Sequence, residues 1–255
     1  MTKVKAFLLI LMSFAIFLSI SKFHLPLSLS LLSALAFWTG IGALLFPRLK
    51  WGGGKFYWIT FLAYFIYHSL VYALVLGIIE PGGITALRLV SQIHLGYGFE
   101  VPPPLKYFPY WISQSPAFWI IVGGYEADVV PYTIFMGLLL GNLMGLNVSY
   151  ITRLGLLRRR MGITRSLLVL PSVGVVSGAS CCLALPTIIL YTFALSIPSI
   201  ASPILLVLSS PTYFIFVYYG LPVLSALALY VNLRLVSRMV LTCERQRKLN
   251  PDSPS

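Results

Sequence analysis

Not one charged residue stands between Asp128 and Arg153, or between Arg165 and Arg234. Uncharged apolar stretches of this kind, separated by short clusters of Lys and Arg, leave a chain few ways to fold. In a bilayer core no water is present to pair with a free backbone N–H or C=O, so each crossing segment has to satisfy its own, and the helix does so. Composition agrees, with 58% of 255 residues hydrophobic and 9% charged, against about 25% charged in soluble domains. The chain reads as all-α, a polytopic helical membrane protein with a single transmembrane domain over residues 1–249 and a disordered tail at 250–255.

Crossing the hydrocarbon core takes about 20 apolar residues. The runs 6–20, 25–46, 56–79, 129–151, 166–190 and 211–233 predict six spans. The first follows Lys3 and Lys5 as a secretory signal would, but no small-x-small cleavage site follows it, and it is read as a retained span. The last opens at Ser210-Pro211, a helix-start pair with Pro in the first helical position.

Orientation follows from Lys and Arg, which are retained on the cytoplasmic side. With both termini cytoplasmic, the inner segments hold 15 of the 18 basic residues, among them Arg153, Arg158, Arg159, Arg160 and Arg165 in one loop. The outer side keeps Lys22, Arg88 and Lys106, together with Glu80, Glu100, Glu126 and Asp128. A seventh span at WISQSPAFWIIV (111–122) would turn the five-arginine loop outward. That stretch is therefore assigned to the outer interface, within the outer segment 80–128, where Trp and Tyr partition. ASPILLVLS (201–209) is too short to cross and reads as interfacial or re-entrant.

The formal charge of +12 sits at the ends of apolar runs, where it meets anionic headgroups. No soluble domain presents a basic face to nucleic acid, so the expected partner is the lipid bilayer, with other membrane subunits or a second copy of the chain beside it.

Gly137, Gly141 and Gly145 recur every four residues in the fourth span, a stripe that lets another backbone come close. Gly174, Ser177, Gly178 and Cys181 line one face of the fifth, and these two helices are expected to pack together. Asn142 and Asn147 beside the stripe suit hydrogen bonds between helices, and Leu139 reads as lipid-facing.

Chemistry is concentrated in GASCCLALP (178–186). Pro186 has no N–H and its ring displaces the carbonyl four residues earlier, that of Cys182, so the helix should kink at the cysteine pair. Adjacent cysteines make a poor disulfide, since neighbouring Cα atoms lie about 3.8 Å apart and the usual window opens at about 4.4 Å. Two thiolates at a kink suit a soft cation such as Cu(I) or another thiophilic metal. The same pair also fits plain packing, because free cysteine behaves as a small buried hydrophobe. His68 is the only histidine inside a span, while His24 and His94 fall near the outer surface, so a haem held by two histidines is not expected. No nucleotide-binding loop, paired intramembrane carboxylates or Ser/His/Asp arrangement is present, and no catalytic residue is assigned.

The pattern small-x-Ser-Cys-Cys-apolar-x-x-Pro, about a dozen residues, resembles the vicinal cysteine pair of the mercuric-ion membrane transporters. That resemblance implies that Cys181 and Cys182 receive a metal within the bilayer. Those transporters are shorter and typically carry a second cysteine pair on the cytoplasmic side, where this chain has Cys243 alone. In layout the chain also resembles prokaryotic polytopic membrane proteins, which implies a plasma-membrane location. Two functions stay open: handling of a soft metal ion, or a non-catalytic accessory role in a larger membrane complex.

The charge distribution makes topology testable. In a background without the native cysteines, Gln92→Cys and Gln114→Cys should react with an impermeant maleimide from outside, and Arg159→Cys should not. Outside labelling at residue 159 would refute six spans.

Overall fold

The structure is a computed structural model that describes residues 3–46, 49–68, 93–122, 125–158 and 185–249. These residues are mostly helical. Three helical stretches, Lys3–Phe23, Pro131–Leu154 and Pro211–Thr242, are long and apolar enough to cross a membrane, and Leu29–Leu45, Lys55–Ile66 and Ser199–Leu208 are shorter apolar helices. The described residues form two compact units, one of 3–46, 49–50, 93–122 and 125–136, the other of 51–68, 137–158 and 185–249.

In the first unit, helix α1 (Lys3–Phe23) turns at His24 and returns as α2 (Leu29–Leu45). His24 takes φ +50°, a left-handed conformation uncommon for a residue with a Cβ, which lets the chain reverse in five residues. Small residues line the contact. Ser13 and Ser33 are both buried, their hydroxyls 2.9 Å apart, and the Ser33 hydroxyl donates to the Ser13 carbonyl at 3.0 Å. A Cβ at Gly40 would stand 2.7 Å from Ile10 Cγ1 and 2.8 Å from the carbonyl oxygen of Ala6, so the helices touch through backbone there.

The short α4 (Phe108–Gln114) packs on this hairpin. Phe17, Ile20, Ala34, Phe108, Trp111 and Ile112 form one buried cluster, with the Phe17 ring 5.0 Å from Phe108 and 5.1 Å from Trp111. Trp38 donates its indole N–H to the Ile112 carbonyl at 3.1 Å. Trp111 donates to the Glu100 carbonyl at 2.9 Å, and the Glu100 N–H donates to the Ser115 hydroxyl at 3.1 Å, which closes residues 100–115 on themselves. Burial pushes the Glu100 carboxyl above its ordinary range. Protonation therefore favours the folded segment: the stability this group contributes is present in acid and is lost as pH rises through its raised value. Its partial exposure keeps that effect small.

The all-α expectation needs correcting here. Strands β1 (Ile93–Gly98), β2 (Ala117–Val122) and β3 (Tyr125–Val129) form an antiparallel sheet in the order β1-β2-β3. Residues 111–122 thus divide between the end of α4 and β2. The physical reason is composition in β2, which is rich in β-branched and aromatic residues, and period in β1, which alternates apolar residues with His94, Gly96 and Gly98. Gly96 pairs with Trp119, and the indole occupies the place a Cβ at Gly96 would take.

The second unit contains α3 (Lys55–Ile66) and the greater part of α5 (Pro131–Arg158), whose first six residues belong to the first unit. It also holds α6 (Leu185–Ser196) and α7 (Pro198–Leu208), which pack on each other, α8 (Pro211–Ile215), a π turn at Phe216–Gly220 and α9 (Leu221–Leu249). Ser210 caps α8 by accepting from the Tyr213 N–H at 3.2 Å, with Pro211 next in line. The C-terminal halves of α5 and α9 meet through Leu154, Val236 and Val240. Beyond them Arg153 pairs with Glu244 at 2.6 Å. Both side chains reach solvent, so the pair contributes at most about 1 kcal/mol. The run 201–209 takes in α7 from Ala201 to its C-cap Ser209, and α6 continues six residues past the predicted end of the fifth span at 190. The tail 250–255 lies outside the described residues. Gln114 is only 9% exposed, so Tyr110, 48% exposed, is the better labelling site in the segment expected outside.

Helix propensity favours Ala over Gly by about 1 kcal/mol. Gly40→Ala should nonetheless destabilise the protein, by about 1–3 kcal/mol, because it pushes α1 from α2. Gly54→Ala, where nothing lies within 4 Å of the added Cβ, should stay within about 0.5 kcal/mol of the parent. Thermal unfolding in detergent compares them, and a raised midpoint for Gly40→Ala would contradict the close approach.

Candidate functional site

The stripe Gly137, Gly141, Gly145 on α5 faces an aromatic ridge on α3. Measured from the position a Cβ would take, Gly137 lies 2.9 Å from His68 Cδ2 and Gly141 lies 3.3 Å from Phe61 Cδ2. Gly145 lies 2.9 Å from both Tyr57 Cδ2 and the Tyr57 carbonyl oxygen. The helices run antiparallel, and Tyr57, Phe61 and Phe65, four residues apart, stack with ring centroids at 6.0 and 6.2 Å. That spacing is legible in KFYWITFLAYF once the glycines are given an aromatic partner instead of a small-residue one. Gly174 and Gly178, the partners expected from the fifth span, lie outside the described residues. Leu139, expected to face lipid, is 5% exposed. Because α5 carries α3 along one face and α9 along another, apolar composition does not mark a lipid face on it.

A hydrogen-bonded amide network crosses the same three helices. Tyr57 donates its hydroxyl to Asn142 Oδ1 at 2.7 Å. Asn147 Nδ2 donates to the carbonyl of Leu143 in its own helix at 2.7 Å and to that of Leu229 in α9 at 3.1 Å. Asn232 Nδ2 donates to Asn147 Oδ1 at 2.8 Å. All three amides are buried, and Asn232 Oδ1 accepts no bond. Asn147 both donates and accepts, so the network ties helices together without desolvating a charge. Asn142 and Asn147 stand out in the sequence as amides beside glycines. Asn232 does not, although its signal is of the same kind, a carboxamide in an uncharged helical run.

His68 is 2% exposed and stacks on Tyr64 at 5.8 Å. His24 occupies the α1–α2 turn and His94 lies in β1. Among the described residues no group of three or more His, Cys, Asp or Glu comes together that could hold a metal ion. Cys181 and Cys182 lie outside the described residues, and Pro186 is the second residue of α6. Cys243 falls on α9.

Compared with protein-family models, curated proteins and solved structures, the chain shows no match.

Asn147→Leu removes the acceptor of the Asn232 amide and the donor to the Leu229 carbonyl. It should cost about 1–2 kcal/mol in detergent unfolding. Adding Asn232→Leu should cost less than it does alone, since that amide no longer has a partner to lose. Strict additivity would rule out the network as drawn.

Proposed function

We propose that the chain is a six-span protein of a prokaryotic plasma membrane, both termini cytoplasmic, that takes a soft cation such as Cu(I) at Cys181 and Cys182 and passes it across the bilayer. The observation that carries this reading is the thiol pair four residues before Pro186 in an uncharged run. A proline there removes the helical bond to the Cys182 carbonyl, leaving two soft donors and one backbone acceptor at a single point of the helix.

Helix direction supports the span count. The α1–α2 and α3–α5 pairs run antiparallel, as consecutive spans do. The contacts of Asn147 with Leu229 and Asn232, and of Arg153 with Glu244, make α5 and α9 parallel. Two parallel spans of one chain need an odd number of crossings between them, and residues 166–190 supply one. The ends joined by Arg153 and Glu244 are also those that the basic residues assign to the cytoplasm.

The neutral amide interior favours a second reading, an accessory subunit. It offers no buried carboxylate to couple transport to protons.

Metal stoichiometry under reducing conditions separates the two. The parent should bind Cu(I) or Hg(II), Cys181→Ser and Cys182→Ser should lower binding by removing soft donors, and Pro186→Ala should lower it with both thiols in place. A parent that binds neither metal at micromolar free concentration, and co-purifies with other subunits, is the accessory protein instead.

A further inference from the structure

We propose that the three-stranded sheet rests on the bilayer, one face seated in the headgroup–acyl boundary as a lipid-binding platform. This rests on reading Pro131–Leu154 as a membrane span.

Residues paired across antiparallel strands share a face, and alternate residues along each strand take opposite faces. By the register, Ile93, Leu95 and Tyr97 of β1 share a face with Phe118 and Ile120 of β2. The β3 positions in the same set, 125, 127 and 129, are Tyr, Ala and Val. The alternate positions hold every His, Asp and Glu of the sheet: His94, Glu126 and Asp128. By register every acid and the histidine of the sheet thus fall on one face, beside Trp119 and Ile121, and the other face carries none.

Its apolar face lies open. Ile93 is 69% exposed, Leu95 65%, Tyr97 74% and Phe118 40%. Contiguous apolar surface of this kind marks a contact with protein or membrane. Covalent continuity selects between them. β3 ends at Val129 and α5 begins at Pro131, so a single residue separates the sheet from a helix long and apolar enough to cross. One residue reaches about 3.5 Å, which holds the sheet at the membrane surface. Lipid is the one partner such a tether guarantees. The acids sit on the opposite face, away from anionic headgroups, while Tyr97 and Phe118 meet the level where interfacial aromatics partition.

Full-length protein lacking the native cysteines, reconstituted in phosphatidylcholine–phosphatidylglycerol vesicles, tests this. Nitroxides are placed singly at Leu95→Cys, Tyr97→Cys, His94→Cys and Asp128→Cys, with Leu224→Cys, at a 54% exposed position of α9, as the span control. Collisional relaxation by oxygen, enriched in lipid, is compared with that by a polar nickel chelate. Labels at 95 and 97 should show a several-fold excess of oxygen over nickel relaxation, and labels at 94 and 128 the reverse. Nickel-accessible labels at 95 and 97 beside a lipid-like 224 would overturn the platform and leave the membrane reading standing. Labels at 95 and 97 shielded from both reagents would overturn it too, showing a face covered by protein. A nickel-accessible label at 224 would remove the span reading of Pro211–Thr242 and, since α5 packs beside that helix, of Pro131–Leu154 with it.

Discussion

The approach of the Tyr57 carbonyl to within 2.9 Å of the Cβ position at Gly145 governs the second unit. Any larger residue there would lift α3 from α5, and with it the Tyr57 ring, whose hydroxyl reaches Asn142 only because the backbones touch. Between helices in lipid there is little hydrophobic drive to associate, so contact of this kind and shared hydrogen bonds do the holding. The first unit solves the same problem with different residues, Gly40 against Ala6 and Ser13 against Ser33. In both, small side chains admit a neighbouring backbone and a polar side chain then fastens it.

The apolar runs were legible because they are long and uncharged: helices long and apolar enough to cross stand at 6–20, 129–151 and 211–233, shorter apolar helices stand within 25–46 and at the start of 56–79, and α6 overlaps the end of 166–190. The Ser210-Pro211 pair marks a helix start in the sequence, and α8 begins there. The sheet was not legible for a reason of period. A continuous apolar run such as AFWIIV carries neither the helical nor the strand period, so counting apolar residues in 111–122 registers hydrophobicity and passes over the β-branched and aromatic content that suits a strand. The glycine stripe identified a close-packed face, whereas its partner required knowing that an aromatic ridge can fill a glycine groove as well as a second small-residue stripe can. The Ser13–Ser33 seam was missed because serines spaced among leucines carry little periodic signal. The cysteine pair remains a reading of the sequence, since it falls outside the described residues.

Neutral amides in place of charges also explain why α5 can be enclosed on two sides. Asn147 spends one N–H on its own helix and the other on α9, and accepts from Asn232, so three bonds converge on one side chain without a counter-ion. A lysine or glutamate at that position would face a desolvation cost of several kcal/mol.

That neutrality has an electrical consequence. A membrane potential does about 2.3 kcal/mol of work per elementary charge per 100 mV, and it acts only on charge that moves within the field. The six predicted spans contain no Asp, Glu, Lys or Arg, so voltage finds none of these charges in them to pull on. On the proposed reading, a current through this protein would be the cargo's own: the cation, together with whatever charge the two thiolates carry, would be what the potential senses.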